Sequence, residues 1–424
     1  MAALLRGVRR VVVGMSGGVD STVSALLLQR RGYEVVGVFM RNWDGRDETG
    51  HCEADREMEE AAKVADKLGI SFLQVDLVKE YWTEVFQDMV EGYRLGLTPN
   101  PDVLCNSRVK FKHFLDFAVN SVGCDAIATG HYARNSFGEG LEGAGEGVRA
   151  RLLKAVDRTK DQTFFLSQMP QEALRVTMFP VGELTKPVVK EIARQAGFAD
   201  IADKKESMGI CFVGKKVAPG GRGFQEFISE YVEAKEGPLV HIDTGEEVGR
   251  HQGLHHWTIG QRVGINRDDK SYHVVSRDVA TNSIQVADDA QHPALYSESF
   301  YTGAPHWIAE SPEGLRAGGR RMVEVEFRFQ NMAPLTQCVV SFAMKSTTNW
   351  ESVDPSRLVV SVAEPLRAVS PGQFAAFYQG DVCLGSARIR RPGPSLYTLN
   401  SGGCRTAIAA RLAGTTEPLS EGVT

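Results

Sequence analysis

The sequence lacks any apolar run approaching the ~20 residues that span a bilayer, which argues against an integral membrane protein. It also lacks an excess of basic charge, because its formal net charge is −5. The seven cysteines are odd in number, widely spaced and without a CxxC pair, so they form neither a disulfide framework nor a zinc-ribbon pattern. The 424 residues, 42% of them hydrophobic, are enough for two or three cores.

Strand and helix patterns alternate along roughly the first 200 residues, which predicts a parallel sheet covered by helices on both faces. The predicted elements are strands Val11–Gly14, Glu34–Met40, Ser71–Leu77 and Asp125–Gly130, and helices Ser21–Arg31, Glu53–Leu68, Glu80–Leu95, Ser107–Val122, Gln171–Val176 and Lys186–Ala196. In such sheets ligands bind beyond the C-terminal ends of the strands. The loops after Gly14, Met40 and Thr129 are therefore expected to line one site.

The pattern changes after residue 220 to a mixed, turn-rich segment and then to short alternating runs. Such runs, separated by tight turns, predict a small antiparallel β-barrel. We therefore predict an α/β domain at 1–220, a small central domain at 221–300, a β-barrel at 301–398 and a disordered polar tail at 399–424.

A glycine-rich turn connects the first strand to its helix, in the run Val11-Val-Val-Gly-Met-Ser-Gly-Gly-Val-Asp-Ser21. Glycines let the backbone approach an oxyanion, and the free N–H groups at a helix start favour an anion there. Ser16 and Ser21 add hydroxyl donors, and Asp20 is suited to orienting the loop or to holding Mg²⁺ through water. No lysine follows the second glycine, so this is not a GxxxxGK[ST] loop. The alternative is an ordinary strand–turn–helix built from small residues.

Two segments contain a cysteine whose neighbours are suited to acid–base or thiolate chemistry. In Thr98-Pro-Asn-Pro-Asp-Val-Leu-Cys-Asn106 we predict an irregular, proline-fixed loop before a helix, with Asp102 and Cys105 close enough to share a site. A carboxylate near a thiol can accept a proton, and the helix dipole favours a thiolate. In Lys204-Lys-Glu-Ser-Met-Gly-Ile-Cys211 the cysteine has lysines nearby. Taken singly, each segment is better explained by a small structural cysteine.

Ser16-Gly-Gly-Val-Asp-Ser21 resembles the pyrophosphate loop of ATP pyrophosphatases. Together with the two cysteine segments, in this order and at these separations, it resembles the tRNA-specific 2-thiouridylases. The resemblance covers most of the chain, and the segment His306-Trp-Ile-Ala-Glu310 is most similar to the animal mitochondrial members. The chain departs from the family in an acidic glycine-rich insert at 136–148 and in the tail after 400. Further segments similar to the family are Gly130–Arg134, Lys160–Ser167, Thr258–Arg262 and Ser370–Gln373.

The resemblance implies an ATP-dependent sulfurtransferase that makes 2-thiouridine at the wobble position of tRNA. In that chemistry ATP adenylates the uridine C2 oxygen, and sulfur then displaces AMP. Cys211 is implied to carry a persulfide that attacks C2. Cys105 then attacks the persulfide, leaving a Cys105–Cys211 disulfide, or assists release of hydrosulfide. Asp102 is implied to accept a proton from the base or to hold its edge, and the disulfide route requires a reductant.

The resemblance also implies two sets of binding residues, with ATP in the α/β domain and tRNA reaching the barrel. The expected ATP contacts are Gly14, Met15, Ser16, Gly17, Gly18, Val19, Asp20, Ser21, Met40 and Gly130. The expected tRNA contacts are Asn100, Pro101, Asp102, His131, Lys160, Asp161, Gln162, Arg328, Phe329 and Gln373. An arginine beside an aromatic ring suits phosphate pairing and base stacking. Taken alone, His131 is also compatible with a structural role, Met40 with the core, and the barrel residues with an ordinary strand.

The expected co-reactants are ATP as substrate, Mg²⁺ and a persulfide donor, with no resident metal. The expected partners are tRNA and an upstream sulfur-relay protein or cysteine desulfurase, with no membrane. The expected location is mitochondrial, with the cytoplasm as the alternative. The first ten residues hold three arginines and no acid, a composition typical of a transit peptide but very short for one.

Two other functions stay open at this level. A pyrophosphate-loop ligase of the argininosuccinate or GMP synthetase kind needs neither cysteine and no barrel. A non-catalytic tRNA-binding protein with a vestigial loop needs no chemistry, although the intact loop and both cysteines argue against decay. The sequence does not determine the sulfur donor, the oligomeric state, the route of sulfur release, N-terminal cleavage or the exact set of tRNA substrates. For the substrates, the mitochondrial resemblance implies the Lys, Glu and Gln tRNAs.

Overall fold

The computed structural model describes residues 7–44, 53–204, 222–264, 270–316, 321–344 and 353–401. Its first layer is a parallel five-stranded sheet in the order β3-β2-β1-β4-β7. The strands are β1 (Arg10–Gly14), β2 (Glu34–Arg41), β3 (Ser71–Asp76), β4 (Ala126–Ala128) and β7 (Thr177–Met178). The first four confirm the predicted strands, whereas the two-residue β7 was not predicted.

β1 occupies the middle of this sheet because its side chains can be buried on both faces. Val11, Val12 and Val13 are completely buried, as expected for a continuous β-branched run in a covered parallel strand. The helices that cover the sheet are α1 (Val19–Arg30), α2 (Glu53–Leu68), α3 (78–94), α4 (101–122), α5 (Gln171–Leu174), α6 (Lys186–Gln195) and α7 (Ala199–Asp203). The predicted α/β class is confirmed.

The segment before Cys105 differs from its prediction as an irregular loop, because the helix α4 already begins at Pro101. The side-chain Oδ1 of Asn100 accepts the Val103 N–H at 3.3 Å and so caps the helix. Proline at the first helical position costs no hydrogen bond, so the prolines start a helix here instead of preventing one. The helix then widens into a π-helix over Cys105–Phe114, with a kink at Phe111.

The C-terminal part is a closed antiparallel barrel of six strands, in the order β13-β16-β15-β14-β17-β18, with β18 pairing back to β13. Phe300, Phe327 and Phe377 fill its core. Two strands of the α/β domain extend the barrel sheet, because β6 pairs with β18 and β5 pairs with β6. The strands are β5 (Ala133–Asn135), β6 (Leu152–Lys154), β13 (Tyr296–Trp307), β14 (Met322–Arg328), β15 (Thr336–Met344), β16 (Val353–Arg367), β17 (Phe374–Gln379) and β18 (Val382–Pro392).

Between these two parts in the sequence the chain forms a five-stranded sheet in the order β10-β11-β12-β8-β9, with its own small core around Leu239, Val274 and Ile284. Its elements are α8 (Arg222–Ser229), β8 (Gly237–His241), β9 (Glu247–His251), β10 (Arg262–Val263), β11 (Tyr272–Asp278) and β12 (Ser283–Ala287). A last helix, α9 (Leu396–Ser401), extends three residues into the predicted tail, and 402–424 lie outside the described residues. Within the described ranges no helix is long and apolar enough to cross a membrane.

Candidate active site

The glycine-rich turn after β1 is held closed by its own serines. The Ser16 N–H donates to Ser21 Oγ at 3.3 Å, and Ser21 Oγ donates to the Gly18 carbonyl at 3.1 Å. Gly17 has a φ of 70°, a left-handed conformation that favours glycine. The first N–H groups of α1 have no partner within the helix, since a helix start always leaves such donors. The turn is therefore held in a defined conformation with N–H donors at the start of α1, and its contact with the phosphates of ATP stays a prediction.

A buried lysine holds the carboxylate of this turn. Lys186, the first residue of α6, places Nζ 2.8 Å from both carboxylate oxygens of Asp20. The Tyr132 hydroxyl donates to the same carboxylate at 3.0 Å. Of the two roles predicted for Asp20, these contacts support orientation of the loop, and a contact with Mg²⁺ stays a prediction. Sequence reasoning missed Lys186 because no local motif connects it with Asp20.

Two other strand ends meet the turn, as expected for the C-terminal edge of a parallel sheet. A methyl group added at Gly14 would lie 3.2 Å from Met40 Cε and 3.7 Å from the Phe114 ring. One added at Gly130 would lie 2.7 Å from the Ser21 nitrogen. The structure thus brings Gly14, Met40 and Gly130 together at the turn, and it packs α4 against the same edge.

Asp102 and Cys105 both lie in the first turns of α4. Burial raises the pKa of Asp102 to about 6, and the charge of Lys110 opposes that rise. Cys105 is buried. The preceding residues are fixed by the barrel, because Gln373 Nε2 donates to the Thr98 carbonyl at 2.9 Å and Gln373 Oε1 accepts the Asn100 amide at 3.1 Å. A carboxyl that titrates near neutrality therefore lies one helical turn from a thiol.

His131 is partly buried next to this helix, and this burial lowers its pKa well below the usual value, so the ring is neutral. Lys110 Nζ lies 3.4 Å from its Nε2, and Thr129 Oγ1 lies 2.8 Å from its Nδ1. Since an ammonium can only donate, Nε2 accepts and Nδ1 carries the proton. His131 therefore has two protein partners, and its contact with ATP or tRNA stays a prediction.

Three family models match successive parts of the chain. Residues 9–215 match the model described as tRNA methyl transferase HUP domain. Residues 225–288 and 297–389 match those described as tRNA methyl transferase PRC-barrel domain and aminomethyltransferase beta-barrel domain.

Whole-length relatives give the decisive match. Proteins named mitochondrial tRNA-specific 2-thiouridylase 1 from Drosophila melanogaster and Homo sapiens are 45% and 44% identical to this chain. The alignments cover 91% and 96% of this chain and 95% and 96% of those proteins. The chain belongs to the tRNA-specific 2-thiouridylase family. A bacterial member from Yersinia enterocolitica, named tRNA-specific 2-thiouridylase MnmA, is 41% identical over 91% of this chain and 96% of its own.

Cys211, the second cysteine with a role implied by the 2-thiouridylase family, lies outside the described residues. Lys204, seven positions earlier, pairs with Glu60 on α2. The Cβ of Glu60 would lie 3.1 Å from a methyl group added at Gly17. The described part of the chain therefore stops, at Lys204, beside the glycine-rich turn.

The residues expected to bind tRNA in this thiouridylase mostly contact the protein itself. The buried Asp161 accepts hydrogen bonds from the Ala155 N–H at 3.0 Å and from the Thr163 hydroxyl at 2.8 Å, and it also pairs with Arg328. Gln162 Oε1 accepts the Tyr132 N–H at 2.9 Å. These side chains join the α/β domain to the barrel.

The remaining predicted tRNA contacts divide between the interior and the surface. Phe329 is buried in the barrel core, with its ring centroid 6.4 Å from that of Phe327. Pro101 is buried at the start of α4, whereas Lys160 is partly exposed. For all of these residues a contact with tRNA stays a prediction. Sequence reasoning missed Arg277, whose Nη2 donates to the Thr98 hydroxyl at 3.0 Å.

The close approach at Gly130 predicts a sensitive position. In Gly130→Ala the new methyl group would meet the backbone of Asp20 and Ser21 at 2.7–2.8 Å, and backbone cannot move aside cheaply. A strain of ~1–3 kcal/mol at the loop corresponds to a loss of ATP affinity of roughly 5-fold to 150-fold. Calorimetric titration with ATP measures it. Gly264→Ala, where nothing lies within 4 Å, is the matched control, and equal affinities for the two variants would contradict the packing argument.

Proposed function

We propose that this chain is a tRNA-uridine 2-sulfurtransferase that uses ATP to form 2-thiouridine at the wobble uridine. The observation that carries the proposal is one shared edge of the sheet. There Gly14, just before the turn of Gly17 and Gly18, faces Phe114 of the helix that presents Asp102 and Cys105, and Gly130 packs on Asp20 and Ser21 of the same turn. Family membership supports the same chemistry, since the full-length relatives are named tRNA-specific 2-thiouridylases.

In the first step the uridine O2 attacks the α-phosphorus of ATP, and pyrophosphate leaves. The N3 proton of the base goes to Asp102, whose pKa near 6 leaves it ionised and weakly basic at neutral pH. The N–H groups of the turn would stabilise the charge that develops on pyrophosphate, and Lys186 holds the turn in place through Asp20. Bound Mg²⁺ would supply further neutralisation of the phosphates.

In the second step the terminal sulfur of a Cys211 persulfide attacks C2, and AMP leaves with the former oxygen. The Cys105 thiolate then attacks the Cys211 sulfur, so the base keeps the transferred sulfur and a Cys105–Cys211 disulfide forms. A dithiol reductant restores both thiols. Direct release of hydrosulfide, assisted by Cys105, is the alternative route. The persulfide is supplied by a cysteine desulfurase or a sulfur-relay protein.

The mitochondrial names of the animal relatives support a mitochondrial location, with the Lys, Glu and Gln tRNAs of that compartment as substrates. The target base has to leave the anticodon loop to reach the reacting groups of Asp102, Cys105 and Cys211. We place tRNA recognition in the barrel at 301–398 and ATP binding in the α/β domain at 1–220.

A thiolation assay tests the proposal. Purified protein is incubated with ATP, Mg²⁺, a persulfide donor and a tRNA-Lys transcript, and thiolated tRNA is read from its retardation in a mercury-containing gel. Retarded tRNA together with AMP is the expected result. AMP without thiolated tRNA would favour a pyrophosphate-loop ligase with another acceptor, and tRNA binding with neither product would favour a non-catalytic binding protein.

A further inference from the structure

Thr98 lies two residues before the cap of α4 and is hydrogen-bonded through its N–H, its carbonyl and its hydroxyl. The N–H donates to the Pro371 carbonyl at 2.8 Å, and the carbonyl accepts Gln373 Nε2 at 2.9 Å. Both partners lie in the barrel part, between β16 and β17. The hydroxyl accepts Nη2 of Arg277 at 3.0 Å, and Arg277 lies on β11 of the central sheet. The turn before α4 is therefore fixed from both of the other parts of the protein.

Arg277 brings a positive charge into this junction without a carboxylate partner among the described residues. Besides Thr98 it contacts the Trp257 carbonyl, which accepts Nη1 at 2.5 Å, whereas its buried Nε has no hydrogen-bond partner. Burial lowers the pKa of this arginine to about 10, so it stays charged at neutral pH. A charge that is removed from water and not paired costs stability. Since an apolar side chain would fill the space at lower cost, the polar contacts point to a role other than packing.

The loop that accepts Nη1 of Arg277 is itself bound to the barrel. Gly260 lies in this loop, within the family-like segment Thr258–Arg262. Its N–H donates to the Val274 carbonyl at 2.7 Å, and its carbonyl accepts Nη2 of Arg367 on β16 at 3.1 Å. The central sheet and the barrel together therefore define where the guanidinium of Arg277 lies.

The connection from Thr98 to the reacting groups is short and stiff. Pro99 is buried, Asn100 caps α4, and a second proline is the first residue of the helix. Because proline fixes its own φ, the two prolines leave this segment few conformations. Asp102 and Cys105 follow Thr98 by four and seven positions. A displacement of Thr98 therefore displaces both of them.

We infer that Arg277 is a positioning residue for sulfur transfer, an inference that rests on the proposed function: by fixing the Thr98 hydroxyl it sets the start of α4, and with it the place of Asp102 and Cys105 against the uridine. It acts through Thr98 and not by contact with a reacting atom. Loss of Arg277 should therefore lower kcat while ATP still binds, because the glycine-rich turn is held by its own contacts with Lys186 and Tyr132.

Arg277→Met keeps much of the side-chain length and removes both hydrogen bonds. Small displacements of reacting groups lower rates strongly, so we expect kcat for thiolation to fall about ten- to hundredfold. The melting temperature should change by no more than about 4 °C, because removal of the unpaired charge offsets the lost hydrogen bonds. Thr98→Val removes the accepting hydroxyl at nearly the same shape and should lower kcat as well. If the contact between the two residues carries the effect, the double variant is no slower than Arg277→Met.

The measurements are kcat and KM for tRNA thiolation, ATP affinity by calorimetry and melting temperature, for the wild type, both single variants and the double variant. Arg250→Met is the matched control, because Arg250 lies in the same sheet, is 51% exposed and pairs with Glu247 at 3.1 Å. A fall in kcat that is not additive in the double variant, with ATP affinity unchanged, supports the inference. Unchanged kcat, additive losses, or an equal loss of ATP affinity overturns it.

Hydrogen exchange followed by mass spectrometry gives a readout that does not depend on activity. The Val103 N–H is bonded to Asn100 Oδ1 and exchanges faster when the start of α4 opens more often. Faster exchange around Val103 in Arg277→Met, but not in Arg250→Met, supports the positioning role, and equal exchange overturns it. Failure of the wild type to thiolate tRNA would reject the proposed function, and the exchange rates would then decide alone whether Arg277 fixes the start of α4.

Discussion

Replacing either Cys105 or Cys211 by serine is expected to abolish sulfur transfer while tRNA still binds. Serine keeps the size of the side chain but cannot carry a persulfide or resolve one, because a hydroxyl is not ionised at neutral pH. Loss of an essential nucleophile lowers the rate by at least about a thousandfold. Gel-retardation in mercury-containing gels measures thiolation, and a filter-binding titration measures tRNA affinity.

Cys124→Ser is the matched control for both variants. Burial raises the pKa of Cys124 to about 11, so this cysteine stays a thiol under assay conditions. Burial likewise raises the pKa of Cys338 and Cys383 to about 12. We expect Cys124→Ser to thiolate tRNA at the wild-type rate. Full activity in Cys105→Ser would remove Cys105 from the mechanism, and full activity in both variants would favour a ligase reaction.

Arg328→Met is expected to cause the largest loss of stability. Arg328 and Asp161 form an ion pair whose side chains are only 9% and 2% exposed. Removing the arginine leaves the carboxylate buried without its partner, although the Ala155 and Thr163 donors remain. Breaking a buried pair in this way typically costs ~3–5 kcal/mol. Urea unfolding, followed by tryptophan fluorescence, measures the shift of the first transition.

The exposed pair Arg158–Asp381 supplies the control, because its side chains are 52% and 48% exposed. Arg158→Met is expected to cost no more than about 1 kcal/mol, as is usual for surface pairs. The double variant Asp161→Asn with Arg328→Met removes both charges and should regain part of the loss. Equal costs for Arg158→Met and Arg328→Met would show that the buried pair does not support the junction.

The loss should also reach the ATP site. Asp161 precedes Gln162, which accepts the Tyr132 N–H, and the Tyr132 hydroxyl in turn donates to Asp20 in the glycine-rich turn. Arg328 therefore stands at one end of a chain of contacts that ends at Asp20, where ATP is proposed to bind. The pairing of Arg328 with Asp161 could not be predicted from the sequence, in which the family resemblance implies Arg328 as a tRNA contact and the residue alone is compatible with an ordinary strand.

The sequence predicted the sheet well because its signals are local. β1 is a continuous β-branched run, and a fully covered parallel strand requires just that pattern. The sequence predicts that α4 starts several residues further along the chain than it does, because the prolines at 99 and 101 indicate an irregular loop before the helix. The capping by Asn100, a side-chain contact at short range, decides otherwise.

The parts that were missed depend on contacts between distant residues. Lys186 reaches Asp20 across 166 positions, and neither residue changes the local pattern around the other. β5 and β6 are three residues each and are separated by the glycine-rich insert, so their period is too short to detect. Tertiary pairing with the barrel gives them their strand conformation.

The pairing of β6 with β18 makes the barrel and the α/β domain share one continuous sheet. A fragment that ends at residue 220 would uncover the hydrogen-bonding edge of Leu152–Lys154, and uncovered edges recruit other chains. Such a fragment is expected to self-associate. In the full chain the same pairing joins the two parts through backbone hydrogen bonds, so, if the barrel binds tRNA as proposed, the distance from that tRNA to the glycine-rich turn is set by the fold and not by a flexible linker.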